Sequence, residues 1–270
     1  MRVLVGLFLL ATACDGRGDC ERASRDLVFR GGSLLDGAHL TAGEPLTCDD
    51  GRVRRAAPRL SEALAHVDPR FLPRPVVVHL DPRATGGAPV REIEAHASGQ
   101  LLVSSSTPAV DDPSVVLHEL FHLGARGRRP EGARQRRAFV ALEEGAADYF
   151  AASVLRVPEV GTRDGRERRR LDGPERPTVG EWLDVISGSA PPHALGQKLG
   201  SALWSVFGAD GSRAVALGGC LATVSSEPVT LAGFVDECAR VTPDLREPLT
   251  RWMVGEPGYQ PPAFALSSPP

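Results

Sequence analysis

Lysine is almost missing from this chain: Lys198 stands alone, and arginine carries nearly all of the positive charge. A bias of that kind follows genomic base composition and points to no chemistry. A basic surplus is missing too, since the net charge is -3 and the pI near 6.2. Nothing therefore suits the chain to neutralising phosphates, and no nucleic-acid partner is expected. The cysteines never fall in C-x-x-C spacing, which excludes the usual thiol redox motif and an all-cysteine zinc site. Beyond residues 3–11 no apolar run is long enough to cross a bilayer. Internal repeats and acidic calcium loops are also missing. What remains is 270 residues at 42% hydrophobic composition, enough to bury one substantial core, divisible into two lobes.

The start of the chain reads as a processed segment. Met1-Arg2 forms a short charged region and Val3 to Ala11 an apolar one. Ala11-Thr12-Ala13-Cys14 resembles a bacterial lipobox, whose cysteine becomes the lipidated first residue of the mature protein. That resemblance implies residues 1–13 as a lipoprotein signal peptide and Cys14 as the lipid site. It also implies a location in the cell envelope, periplasmic or on the outer surface, with membrane contact through the lipid. Export agrees with the remaining cysteines, Cys20, Cys48, Cys220 and Cys238, an even number suited to two disulfides. Three pairings are possible, and the most local joins Cys20 to Cys48 and Cys220 to Cys238.

The densest chemistry lies in His118-Glu119-Leu120-Phe121-His122. On a helix, residues four apart share a face, so His118 and His122 can offer two imidazole nitrogens to one tetrahedral zinc ion. Glu119, one residue round the turn, can reach a water at that ion without being a ligand, as a general base must. Asp112 as N-cap, Pro113 in the first turn and Gly124 as a stop support the helix. The eleven-residue extension of the motif would need Gly at Ala125 and His at Arg128, so that class is excluded.

A third ligand must come from elsewhere. Phe139, Glu143, Ala146, Ala147, Phe150 and Val154 recur at helical spacing, and Glu144 and Asp148 lie four apart on that helix. One of the two can hold the metal while the other accepts a hydrogen bond from a ligating imidazole. Glu143 is a rival ligand, but Ala147 stands four residues on. Gly145 is costly inside a helix, which predicts a close neighbour there.

H-E-x-x-H followed some twenty residues later by E-G-x-x-D resembles the gluzincin metallopeptidases of the thermolysin and fungalysin types. The resemblance implies Glu144 as third zinc ligand and Asp148 as the partner that orients a zinc histidine. His193-Ala194-Leu195-Gly196, then Gly200 and Leu203-Trp204, is similar to a fungalysin stretch in which the histidine stabilises an oxyanion, a role this implies for His193. It also implies a zinc metalloendopeptidase acting on peptide or protein substrates. The alternative is a zinc-stabilised envelope lipoprotein that binds without turnover.

The expected fold is α+β and zincin-like: a small N-terminal mixed sheet with the active-site helix, then a mainly helical C-terminal lobe. Residues 14–56, Gly-rich, read as a tether with a disulfide-pinned extension. Residues 57–128 form the upper subdomain, with a short helix over 61–67, a strand over 75–80 and a hairpin over 90–105 ending in the zinc helix. Residues 129–255 form the helical lower subdomain, and 256–270 a Pro-rich tail. An Arg-rich loop from Arg126 to Arg137 is expected to be solvated, and 161–177 to be an exposed connection. His39, His66, His79 and His96 lack ligand spacing and are expected to be structural.

Overall fold

The computed structural model describes residues 17–250 apart from 36–38, 82, 85–92, 97–98, 105–107, 126–132, 162–168, 174–176, 224–230 and 248–249. The signal peptide, Cys14 and the Pro-rich tail lie outside the described residues. So do residues 126–132 of the Arg-rich loop.

The α+β expectation holds. The chain runs α1 (Arg17–Ala23), β1 (Leu27–Leu35), β2 (His39–Pro45), α2 (Gly51–Ala65), β3 (Val76–Leu80), β4 (Arg83–Ala84), β5 (Ile93–His96) and β6 (Gln100–Val103). It continues through α3 (Pro113–Gly124), α4 (Ala133–Leu155), β7 (Glu159–Val160), β8 (Arg169–Arg170), α5 (Val179–Ser187), α6 (Pro192–Phe207), α7 (Gly211–Thr223) and α8 (Leu231–Val241). The main sheet has the order β2-β1-β3-β6-β5, with β4 beside β1. Strands β1, β3 and β6 are parallel, and antiparallel β2 and β5 flank them.

Parallel strands at the centre of a sheet are buried on both faces and read as continuous apolar runs. Val76-Val77-Val78 and Leu101-Leu102-Val103 do so, and the last three are fully buried. The hairpin expected over 90–105 is β5–β6, with Gly99 at φ 84° making the turn. On α2, Val53, Ala56, Ala57, Leu60, Ala63 and Leu64 form a buried stripe of helical period. Asp50 caps that helix by accepting from the Arg52 amide at 2.8 Å.

One expectation is corrected here. Residues 17–45 are not a tether: they supply α1, the inner strand β1 and the edge strand β2. The register of β1 against β2 shifts between Arg30 and Gly32. That irregularity in a Gly-Gly pair hid the strand's alternation. The short helix expected over 61–67 is the second half of α2, which begins at Gly51.

Helix α3 packs against β5 and β6 on one side and α4 on the other, so it joins sheet to helices. Phe71, Phe121 and Phe150 hold this junction, with ring centroids 5.3 to 6.2 Å apart. The Cys20–Cys48 disulfide ties α1 to the turn before α2.

Candidate metal centre

Each helix carrying a site residue is set by its own sequence. Asp112 caps α3, its side chain accepting from the Ser114 amide at 2.9 Å, and Pro113 opens the first turn. The helix is buried along most of its length, so His118, Glu119 and His122 face protein rather than water. Helices α4 and α6 cross on a seam of glycines. A Cβ on Gly145 would stand 2.6 Å from Leu199 Cβ and 2.8 Å from Gly196 O. A Cβ on Gly196 would stand 2.6 Å from Glu144 Cβ. Real side chains do not approach that closely, so the backbones meet here only because these positions are glycine. This is the close neighbour that Gly145 implied.

The crossing brings His118, His122 and Glu144 together, with one donor atom of each lying within 4.8 Å of the others. The two Nε2 atoms are 3.0 Å apart. Glu144 Oε2 lies 3.4 Å from His118 Nε2, and Oε1 lies 3.6 Å from His122 Nε2. Behind the rings, His118 Nδ1 is 2.8 Å from Asp148 Oδ1, and His122 Nδ1 is 3.2 Å from Glu143 Oε1. A carboxylate opposite each Nδ1 places the ring proton there and leaves both Nε2 lone pairs turned inward. Two lone pairs and a carboxylate facing one another repel unless a cation lies between them. Bonds of about 2.0–2.1 Å in tetrahedral geometry require donors about 3.3 Å apart, which these separations match. The donor set therefore fits a small divalent cation.

Charge in the metal-free cluster points the same way. Burial works against protonated His118, but hydrogen bonds to Asp148 and Glu144 outweigh it and raise its pKa to about 10. Burial would raise Glu144, yet hydrogen bonds to His118 and His193 hold it far below the usual carboxylate range. Without a metal, a proton substitutes for part of the missing positive charge.

Glu119 does not join the donor cluster. Its Oε2 accepts from the Ala95 amide at 2.8 Å, so the carboxylate is fastened to β5, an outer strand of the sheet. His193 sits in the first turn of α6, its Nε2 3.2 Å from Glu144 Oε1 and its side chain 55% exposed. The cluster is otherwise enclosed, so His193 marks its open side.

Two residues were not assigned these places from sequence. Glu143, weighed as a rival ligand, is buried behind His122 instead. Arg169, on β8, pairs with Asp148 at 2.9 Å. The expected second disulfide is corrected as well: Cys220 and Cys238 are buried thiols. Burial and its hydrogen bond to Cys220 push the Cys238 thiol strongly up. Neither a protein-family model nor a characterised protein sequence matches this chain. The case for a metal centre rests on the residues and their geometry.

Proposed function

We propose that the chain is a zinc-dependent endopeptidase of gluzincin type, held at a cell envelope by lipid on Cys14. One observation carries the reading. The Nε2 atoms of two imidazoles and one carboxylate converge, while the neighbouring Glu119 is tied to an outer strand rather than spent as a ligand. A site of three protein donors leaves a coordination position open, as catalytic zinc sites do and structural ones do not.

His118, His122 and Glu144 would hold the zinc, with Asp148 and Glu143 fixing the two rings. Bound zinc supplies an acidified water and a Lewis acid for a carbonyl oxygen. Glu119 Oε1, the oxygen not engaged with Ala95, takes the attacking water's proton and returns it to the leaving amine. His193 Nε2 lies at the positive end of α6, and its N–H would pass from Glu144 Oε1 to the developing oxyanion. The outer strand β5 lies one side chain from Glu119, where an extended peptide can add alongside it. The Cys20–Cys48 disulfide favours an oxidising compartment, and no described helix is long and apolar enough to cross a membrane.

Glu119→Gln tests the mechanism. The variant is expected to keep its zinc and to lose roughly 10²–10⁴-fold in hydrolysis of a quenched peptide. Unchanged hydrolysis removes Glu119 from the reaction. A wild-type chain with full zinc and no chelator-sensitive hydrolysis belongs instead to the envelope-binding class.

A further inference from the structure

We infer that Arg169 is a positioning residue for the metal centre, acting through Asp148 on His118. The inference rests on the metal reading above and not on peptide hydrolysis. Asp148 is fully buried, and its Oδ1 lies 2.8 Å from His118 Nδ1 and 2.9 Å from an Arg169 guanidinium nitrogen. A carboxylate buried to that degree is costly unless paired. The imidazole brings its Nδ1 close to the carboxylate but, when it ligates a metal, supplies no net charge. The guanidinium supplies a permanent one.

Charge balance makes the need explicit. Glu119, Glu143, Glu144 and Asp148 are four buried carboxylates around one cation site. A divalent ion neutralises two of them, and Arg169 offsets a third. Its side chain is 32% exposed, so the arginine keeps contact with water while its head covers a carboxylate that has none.

The placement of Arg169 is built into the fold. It lies on the ribbon β7–β8, opposite the fully buried Val160. Next to Val160, the Gly161 amide donates to Ser114 Oγ at 2.5 Å, which pins the ribbon to the first turn of α3. Past Arg169, the side chain of Leu171 approaches Gly200 on α6. One short ribbon thus touches the helix of the two histidines, pairs with the helix of Glu144 and Asp148, and meets the helix of His193. Arg170, one residue on, faces outward and pairs with Asp172 at 2.7 Å, with its own side chain 64% exposed.

The test is zinc affinity of the full chain, measured by competition with a chromophoric chelator, for Arg169→Gln, Asp148→Asn, the double variant and Arg170→Gln. Removing a partner behind a metal ligand typically weakens binding about 10–100-fold, and that loss is expected for Arg169→Gln. In the Asp148→Asn background the same change is expected to cost less than about threefold, since the group it acts through is gone. Arg170→Gln is expected to bind as wild type does, and Arg169→Lys to recover most of the loss. Should Arg169→Gln fail to fold, the double variant buries no orphan charge and is expected to fold and to match Asp148→Asn. Wild-type affinity in Arg169→Gln overturns the inference, as does an equal loss in both backgrounds. A double variant that does not fold, or that binds more than about threefold less tightly than Asp148→Asn, also overturns it. A wild-type chain that takes up no zinc overturns the metal centre itself, and this inference with it.

Discussion

His79 in the sheet and His118 in α3 are both buried, and their surroundings drive them in opposite directions. His79, on β3, is 1% exposed. Burial lowers its pKa, outweighing hydrogen bonds to Gln100 and the Gly31 backbone, and the charges of Arg30 and His96 push the same way as burial. His118 is as deeply enclosed, yet Asp148 and Glu144 overcome burial and raise it. Burial alone therefore does not mark a functional histidine. A histidine among apolar and basic groups is a core residue that stays neutral, whereas one ringed by carboxylates stands where a cation belongs. The number of acids within reach separates the two.

The comparison breaks most completely if the acids are moved away from His118 while its burial is kept. Gly196→Leu should do so, because any side chain there drives into Glu144 Cβ and the Ala141 carbonyl. Overpacking of this kind costs about 1–3 kcal/mol of stability. Zinc affinity should fall by at least about 100-fold, since displacing Glu144 removes a ligand outright. Gly211, where an added Cβ meets nothing within 4 Å, is the control, and Gly211→Ala should shift stability by less than about 0.5 kcal/mol. Thermal melts and chelator competition read both variants. Full zinc affinity in Gly196→Leu would show that the α4–α6 crossing does not position Glu144.

A change of pH sharpens the comparison with less disruption. In the metal-free protein His118 is raised from 6.5 to about 10, so the folded state binds a proton that the unfolded chain releases. Its contribution is fully present below pH 6.5 and is lost as pH rises through about 10. Melting temperatures of the metal-free chain should fall across that window. Zinc must displace the same proton, so its affinity should rise roughly tenfold per pH unit over the same range. A pH-independent affinity would mean that His118 carries no proton when the metal is absent.

Much of the metal site could be read from the sequence because helical spacing determines it. His118 and His122, and Glu144 and Asp148, are four apart, and Gly145 announced a close neighbour. The strands around it were partly legible: the β-branched run of β3 and the turn at Gly99 gave their places, while the Gly31-Gly32 irregularity concealed β1. Arg169 was not legible at all. It sits among Arg166, Arg168 and Arg170, and composition does not say which of them turns inward. The pairing of β8 with β7 decides it, by setting Arg169 opposite Val160. Glu143 was legible as an acid near the site but not as the partner of His122, because helix spacing relates it to α4 and not to the ring across the crossing.

The smallest expected effect belongs to His79 and has the opposite sign to that of His118. Its pKa is lowered in the fold, so the unfolded chain binds a proton that the folded one refuses. Stability is then fully present above pH 6.5 and declines as pH falls below it. Replacing the ring by Phe, which has similar shape and no site for a proton, should flatten this acid limb of the melting profile. It should leave the alkaline decline caused by His118 in place, because the two groups sit on different layers of the fold. Melts of metal-free wild type and His79→Phe between about pH 5 and 9 therefore separate the two histidines in one experiment. If His79→Phe also removed the alkaline limb, the two would be coupled, and a charged His118 could no longer be ascribed to Asp148 and Glu144 alone.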